Sequence, residues 1–172
     1  MIFQLRFGFA AEKYYGMRHY VLIYLLSGMG GNLLGAVTNP YGIAIGASTS
    51  IFGLLALVGI YSWYNWDKLG PGRDCNMIVY GLFIVYGFLM SYLNPFIDLY
   101  GHLGGYLVGG LAGVMLIRRE ETTSRMNIII KVCFLALLAY FSVLLALLFT
   151  GDYECINKIC SFCNGLNEYN GD

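Results

Sequence analysis

Charged residues are scarce in this chain. They make up 12% of its 172 residues, ten basic against ten acidic, where soluble domains carry roughly 25%. A net charge of zero with no basic cluster excludes nucleic acid as a partner, because phosphate binding needs a concentrated basic face. Proline is equally sparse. Pro40, Pro71 and Pro95 are the only three, and each falls between apolar runs, so no helix is broken from within. There are only two histidines. The first residues lack the basic start and small-residue cleavage site of a secretory signal. Repeated halves and charged pore positions are also missing, which counts against a small helical channel or transporter whose glycine-rich helices merely pack.

What is abundant is apolar surface. Hydrophobic residues account for 58% and the mean hydropathy is +0.65, so the chain reads as a multi-pass membrane protein whose first partner is the lipid bilayer. Five runs bounded by charge or proline are predicted to span it: Tyr20–Val37, Tyr41–Trp63, Met77–Leu93, Leu99–Ile117 and Asn127–Thr150. Each suits a hydrocarbon core about 30 Å thick, which takes roughly 20 helical residues. Met1–Ala11 is apolar but reaches only about 15 Å at ~1.5 Å per residue, so it is expected to be half of a helix. The fold class expected is all-α, a polytopic transmembrane helix bundle. Lys13, Arg18, Lys68, Arg73, Arg118, Arg119 and Arg125 all lie in alternate connections, while Thr38–Pro40 and Asn94–Asp98 carry no Lys or Arg. The positive-inside rule makes the basic connections cytosolic and the other two outward-facing, with Trp63 and Trp66 at the cytosolic interface.

Two glycine-framed signatures interrupt the apolar runs, Gly46-Ala47-Ser48-Thr49 and His102-Leu103-Gly104-Gly105-Tyr106-Leu107-Val108-Gly109. A polar side chain in a membrane helix is a candidate functional residue. Ser48 is expected about seven residues inside a helix entering from the outer face, and His102 four residues past Asp98 on another helix entering from the same face. Both would lie roughly 5–12 Å deep. Gly101, Gly105, Gly109 and Gly113 recur every four residues, a small-xxx-small stripe that lets a neighbour approach closely, and Gly46 and Gly53 bracket Ser48 on the expected partner helix. A serine alone usually packs or bonds back to its own helix, and a lone buried histidine is usually structural. Together at one depth they suggest a nucleophile and its base, because imidazole can take the hydroxyl proton and return it to a leaving amine. Asp98 is expected at the outer boundary, which favours a dyad. Free N–H groups near the start of the Ser48 helix are one source of oxyanion stabilisation.

The conjunction resembles the rhomboid family of intramembrane serine proteases. Ile45-Gly46-Ala47-Ser48-Thr49-Ser50-Ile51-Phe52-Gly53-Leu54 is similar to the family's nucleophile segment, and His102-x-x-Gly105-x-x-x-Gly109 to its histidine helix. Glu12-Lys13-Tyr14-Tyr15-Gly16 and Leu25–Leu33 resemble its second cytosolic loop and third helix. The resemblance implies a Ser48–His102 dyad open to water from the outer side, Phe52 as the aromatic on which the histidine ring packs, and no metal or organic cofactor. The implied substrates are single-span membrane proteins cut in or near their transmembrane segment, commonly after a small residue. A helix-breaking residue would help, since a helical peptide bond must unwind before its carbonyl can be attacked.

The same resemblance divides the chain into a partial catalytic core at 1–118, a cytosolic linker with an additional transmembrane helix at 119–150, and a non-cytosolic cysteine-containing tail at 151–172. Met1–Gly8 resembles only the cytosolic half of the family's second helix. The family's first helix, its large outer loop and a His-x-x-x-Asn element of the oxyanion hole have no counterpart here, and Asn32 and His19 belong to other segments. A partial representation of an active enzyme is favoured over a truncated, inactive protein that only binds transmembrane helices, because both Ser48 and His102 are kept. The extra helix resembles that of eukaryotic secretase-type members, so a secretory or plasma membrane is expected over a mitochondrial one. Lys131 is expected to snorkel to the cytosolic interface. Cys155, Cys160 and Cys163 would then sit in an oxidising compartment, one of them left over from any pairing, while Cys75 and Cys133 read as structural thiols. The residues specify no oligomeric state.

Overall fold

The computed structural model describes residues 2–40, 46–94, 96–116 and 124–150. These form six α-helices: α1 (Ile2–Tyr15), α2 (Met17–Thr38), α3 (Ser48–Tyr64), α4 (Arg73–Leu93), α5 (Leu99–Leu116) and α6 (Ser124–Thr150), with one 3₁₀ turn at Trp66–Lys68. No strand occurs among the described residues. α2, α4, α5 and α6 are each long and apolar enough to cross a bilayer. The chain is an all-helical membrane protein.

Among the described residues three glycines have positive φ, Gly16, Gly46 and Gly72. Gly16, at φ 82°, turns α1 into α2, a backbone state that costs an L side chain strain. Its N–H still reaches the Glu12 carbonyl at 2.7 Å and its own carbonyl accepts the Tyr20 N–H at 3.0 Å, so the corner leaves these groups paired. Gly72, at φ 88°, begins α4 in the left-handed region.

α5 is the centre of the bundle, and its glycines are the reason. Between helices in lipid no hydrophobic force operates, so association rests on close packing and interhelical hydrogen bonds. A Cβ at Gly105 would run into the Thr49 carbonyl, and one at Gly109 into Gly53, so α5 meets α3 backbone to backbone. On its other side, a Cβ at Gly104 would lie 2.8 Å from the Cα of Gly31 in α2. α6 docks over this α2–α5 seam, where the Tyr140 hydroxyl donates to the Gly30 carbonyl at 2.9 Å.

At the end of the bundle away from Ser48, Ala11, Ile23, Leu54, Leu57, Val58 and Ala112 form a buried cluster. α1 is held there by Tyr14 stacked on Tyr61 at 4.1 Å and by the Tyr15 hydroxyl donating to the Leu57 carbonyl at 3.3 Å. α4 is bound lightly, with Ser91 its one buried residue. The Tyr80 hydroxyl donates to the Leu55 carbonyl, and Phe88 sits 4.8 Å from Phe52 and 5.9 Å from Tyr106. Leu82 and Val85 of α4 and Leu135 and Leu138 of α6 are exposed, as a lipid-facing surface requires.

Three expectations are corrected. The helix of Ser48 starts at Ser48 itself and not at Tyr41; at 17 residues it spans about 25 Å, short of the ~30 Å hydrocarbon core. Gly46 lies before the helix with φ 152°, outside the helical backbone region, and a Cβ there would lie 3.7 Å from the Ser48 hydroxyl oxygen. Gly46 therefore does not flank Ser48 on a helix face, whereas Gly53 does pack in the interface. The glycines of α5 also form two faces, Gly105, Gly109 and Gly113 toward α3 and Gly104 toward α2, while a Cβ at Gly101 would meet the side chain of Asp98. Arg118, Arg119, the connection at 117–123 and the tail with Cys155, Cys160 and Cys163 lie outside the described residues.

Candidate active site

The site is assembled by two helix starts and one helix end. α4 stops at Asn94, whose side-chain oxygen accepts the Phe96 N–H at 3.0 Å while its carbonyl accepts the Ile97 N–H at 3.0 Å. This tight turn delivers Asp98, which caps α5: its carboxylate accepts the Gly101 N–H at 2.8 Å, satisfying a first-turn donor. A Cβ at Gly35 would strike that carboxylate, so Asp98 is seated against α2. Its capping bond is to the backbone of α5, and the structure gives it no hydrogen bond to the imidazole. Because the turn is short, the last turn of α4 faces the first turn of α5, and Ser91 is brought against His102.

His102 is buried, 4% exposed, and both of its ring nitrogens are engaged. Nε2 lies 2.7 Å from the Ser48 hydroxyl across the α3–α5 interface. Nδ1 lies 2.6 Å from the Ser91 hydroxyl of α4. Ser91 in turn donates to the Gly87 carbonyl one turn back at 2.7 Å. The Phe52 ring stacks on the imidazole at 4.2 Å and 17°. Phe52 is one turn after Ser48, so one helix supplies both the hydroxyl and the surface on which the ring rests. Gly87 makes room for it, since a Cβ there would lie 2.6 Å from the Phe52 ring tip.

Ser48 is the first residue of α3, and the Ile51 N–H is the first to find an intrahelical acceptor, Ala47 at 3.1 Å. The N–H groups of Ser48 and Thr49 precede that ladder, and no side chain caps them. They end the helix beside the hydroxyl, at the positive pole of the helix dipole. Gly105 and Gly109 take no direct part in this cluster. They set the distance by letting α5 lie against Thr49 and Gly53.

The family model described as the rhomboid domain matches residues 1–119. The chain belongs to the rhomboid family. RHOMBOID-like protein 6, mitochondrial, of Arabidopsis thaliana is 29% identical over 95% of this chain and 58% of its own length. Rhomboid-like protease 3 of Toxoplasma gondii is 32% identical over 63% of this chain and 41% of its own length. Inactive rhomboid protein 1 of Papio anubis is 36% identical over 57% of this chain and 11% of its own length. The chain thus spans little more than half of the Arabidopsis relative, and the family to which it belongs includes both a named protease and a named inactive member.

Sequence reasoning singled out Ser48, His102, Gly46, Phe52, Gly105 and Gly109; the structure brings Ser48 and Phe52 to His102, places Gly105 and Gly109 in the α3–α5 interface beside them, and leaves Gly46 ahead of α3. Sequence reasoning did not single out Ser91. A serine in an apolar run carries no signal of its own, because bonding back to its helix is its common state. The hint is positional: Ser91 is in the last turn before a short outer connection, and His102 is in the first turn after it. His19 is exposed and bound through Nδ1 to the Tyr15 carbonyl at 2.9 Å. Among the described residues no group of three His, Cys, Asp or Glu could hold a metal ion. Cys75 is exposed and Cys133 buried.

Proposed function

We propose that the chain is an intramembrane serine endopeptidase acting on transmembrane protein substrates, with Ser48 as nucleophile and His102 as general base and acid. The 2.7 Å approach of His102 Nε2 to Ser48 Oγ carries this reading, since it lies within the reach needed to activate a serine. Ser48 Oγ attacks the scissile carbonyl carbon as Nε2 takes its proton. The tetrahedral oxyanion is met by the N–H groups at the start of α3. Collapse breaks the C–N bond, and Nε2 gives the proton to the leaving amine. Water then attacks the Ser48 ester with the same base, and the acid product leaves with Ser48 restored.

The membrane decides which segments can be cut. A helical substrate keeps its carbonyls bonded internally, so the cleaved bond belongs where that helix ends or unwinds, near the outer end of the bundle. The additional helix α6, which follows the core instead of preceding it, favours a secretory or plasma membrane; the Arabidopsis relative named mitochondrial makes imaging of a tagged chain the deciding measurement.

The test is cleavage of a tagged single-span substrate by the chain, alone and joined to the upstream segment of a relative, against Ser48→Ala and His102→Ala. Both substitutions are expected to abolish cleavage. Cleavage that survives them rules out the dyad. A second reading, a helix-binding protein without turnover, is favoured by the likeness to the baboon inactive protein and predicts substrate capture with no product in any form.

A further inference from the structure

We infer that Ser91 is a positioning residue, which holds His102 in the one neutral tautomer able to serve as a base. This rests on the peptidase reading above. A neutral imidazole carries a proton on one nitrogen and a lone pair on the other. To accept the Ser48 proton, Nε2 must hold the lone pair, so Nδ1 must hold the proton. In a serine protease with an acid, a carboxylate enforces this choice. Here the carboxylate of Asp98 is occupied with the Gly101 N–H, and the group at Nδ1 is a hydroxyl, which by itself can donate or accept.

The Gly87 carbonyl removes that ambiguity. Ser91 has one proton and two short contacts, 2.7 Å to the Gly87 carbonyl and 2.6 Å to Nδ1. A carbonyl oxygen only accepts, so the Ser91 proton belongs to Gly87. The lone pairs of Ser91 then face Nδ1, which must be the donor. The reverse assignment leaves two oxygens in contact at 2.7 Å with no proton between them, and puts the imidazole proton on Nε2, facing Ser48. Four groups therefore form a directed chain: Ser48 hydroxyl to Nε2, Nδ1–H to Ser91, Ser91 hydroxyl to Gly87 carbonyl. After proton transfer, the Nδ1–H of the imidazolium still points at Ser91, so the contact tightens as charge develops.

The neighbours fit a positioning role. Ser91 is the one buried residue of α4, and α4 meets the site through little else than Phe88 against Phe52. Phe52 sets the tilt of the ring by stacking, but a stacked face cannot choose between nitrogens. That choice falls to Ser91.

The experiment compares Ser91→Thr with Ser91→Val in the full chain, in the form that shows turnover. Both add the same methyl bulk, and only Thr keeps a hydroxyl able to bond back to Gly87. Val is expected to lower kcat about tenfold, the size of a lost hydrogen bond to a group that becomes charged, with KM unchanged. Thr is expected to retain most of kcat. In parallel, ¹⁵N-histidine spectra are recorded in bilayers on a His19→Gln background, where His102 is the sole histidine. The parent and the Thr variant should show protonated Nδ1 and bare Nε2, and the Val variant a shift of population toward protonated Nε2. Equal turnover of Thr and Val, or an unchanged tautomer in Val, overturns the inference. Ser48→Ala separates the two claims: a parent no faster than Ser48→Ala sinks the peptidase reading, while the spectra, which need no turnover, still decide the role of Ser91.

Discussion

Gly109→Ala should separate α3 from α5 and so disable the site from seven residues beyond His102. The added Cβ would lie 2.5 Å from the Gly53 carbonyl carbon, with the Gly53 oxygen and Cα nearer still. Ordinary contact begins at 3.4 Å, so the two backbones must part by about 1 Å. Neither partner is a flexible side-chain tip, so no rotamer change relieves it. Overpacking of this kind costs about 1–3 kcal/mol, and backbone against backbone belongs at the upper end. Replacing a helical glycine by alanine returns about 1 kcal/mol of propensity. Strain wins, for a net loss of about 1–2 kcal/mol. Gly110→Ala is the matched control one residue on: its Cβ would sit 3.8 Å from the Ala56 Cβ, so propensity acts unopposed and stability should rise by up to about 1 kcal/mol. Reversible unfolding in mixed micelles measures both.

The same parting reaches the site. Gly53 and Ser48 share a rigid helix, so a shift of about 1 Å at Gly53 carries the hydroxyl away from Nε2, which now stands at 2.7 Å. A misplacement of that size costs on the order of 10² in rate. Cleavage of a single-span substrate in proteoliposomes should fall by that factor in Gly109→Ala and stay within about twofold in Gly110→Ala. If the two variants unfold at the same denaturant composition, or cleave at the same rate, glycine contact is not what sets the Ser48–His102 distance.

Three further outcomes are expected. Asp98→Asn keeps a side-chain acceptor for the Gly101 N–H and should leave kcat nearly unchanged, since asparagine caps as well as aspartate; a loss approaching 10⁴ would instead mark a true triad acid. Gly87→Ala puts a Cβ 2.6 Å from the Phe52 ring tip, pushing that ring onto the imidazole, so kcat should drop roughly tenfold and recover in the double variant with Phe52→Leu, a coupling that a mutant cycle reads directly. Tyr140→Phe removes the hydrogen bond to Gly30 and should destabilise the bundle by about 0.6 kcal/mol, the usual worth of such bonds in membranes, with kcat unaffected; unfolding and cleavage assays on one preparation separate the two effects.

Much of this site is legible in the sequence because one-dimensional spacing encodes it. Gly105 and Gly109 sit three and seven residues after His102, which puts them on one side of a helix, and Phe52 is one turn after Ser48, which puts it beside the same imidazole. The start of α3 is not legible, because the apolar run continues through Ile43 and Ile45 across a glycine that hydropathy does not penalise. Nor is the split of the α5 glycines between two neighbours, since a repeat of four fixes a stripe and not the number of helices that use it. Ser91 is hidden for a different reason: its partner lies on another helix, and its own back-bond to Gly87 looks like the ordinary habit of a membrane serine.

That habit carries the last step of the argument. An acid at Nδ1 would have to be stripped of water inside the bundle, at an effective cost of several kcal/mol before any benefit to the base. A serine tied to a backbone carbonyl is neutral, is already satisfied, and still offers lone pairs to Nδ1–H at 2.6 Å. It orients the ring less forcefully than a carboxylate and stabilises the imidazolium less. The stacked Phe52 supplies part of the missing orientation, and the burial of the imidazole strengthens each remaining dipole around it. A site of this kind trades catalytic power for compatibility with its solvent. It follows that placing a carboxylate there, Ser91→Asp, should not raise turnover: the desolvation cost should appear as lost stability in the unfolding assay, with kcat below that of Ser91→Thr. A faster, equally stable Asp variant would show that charge, and not the cost of burying it, had been the missing element.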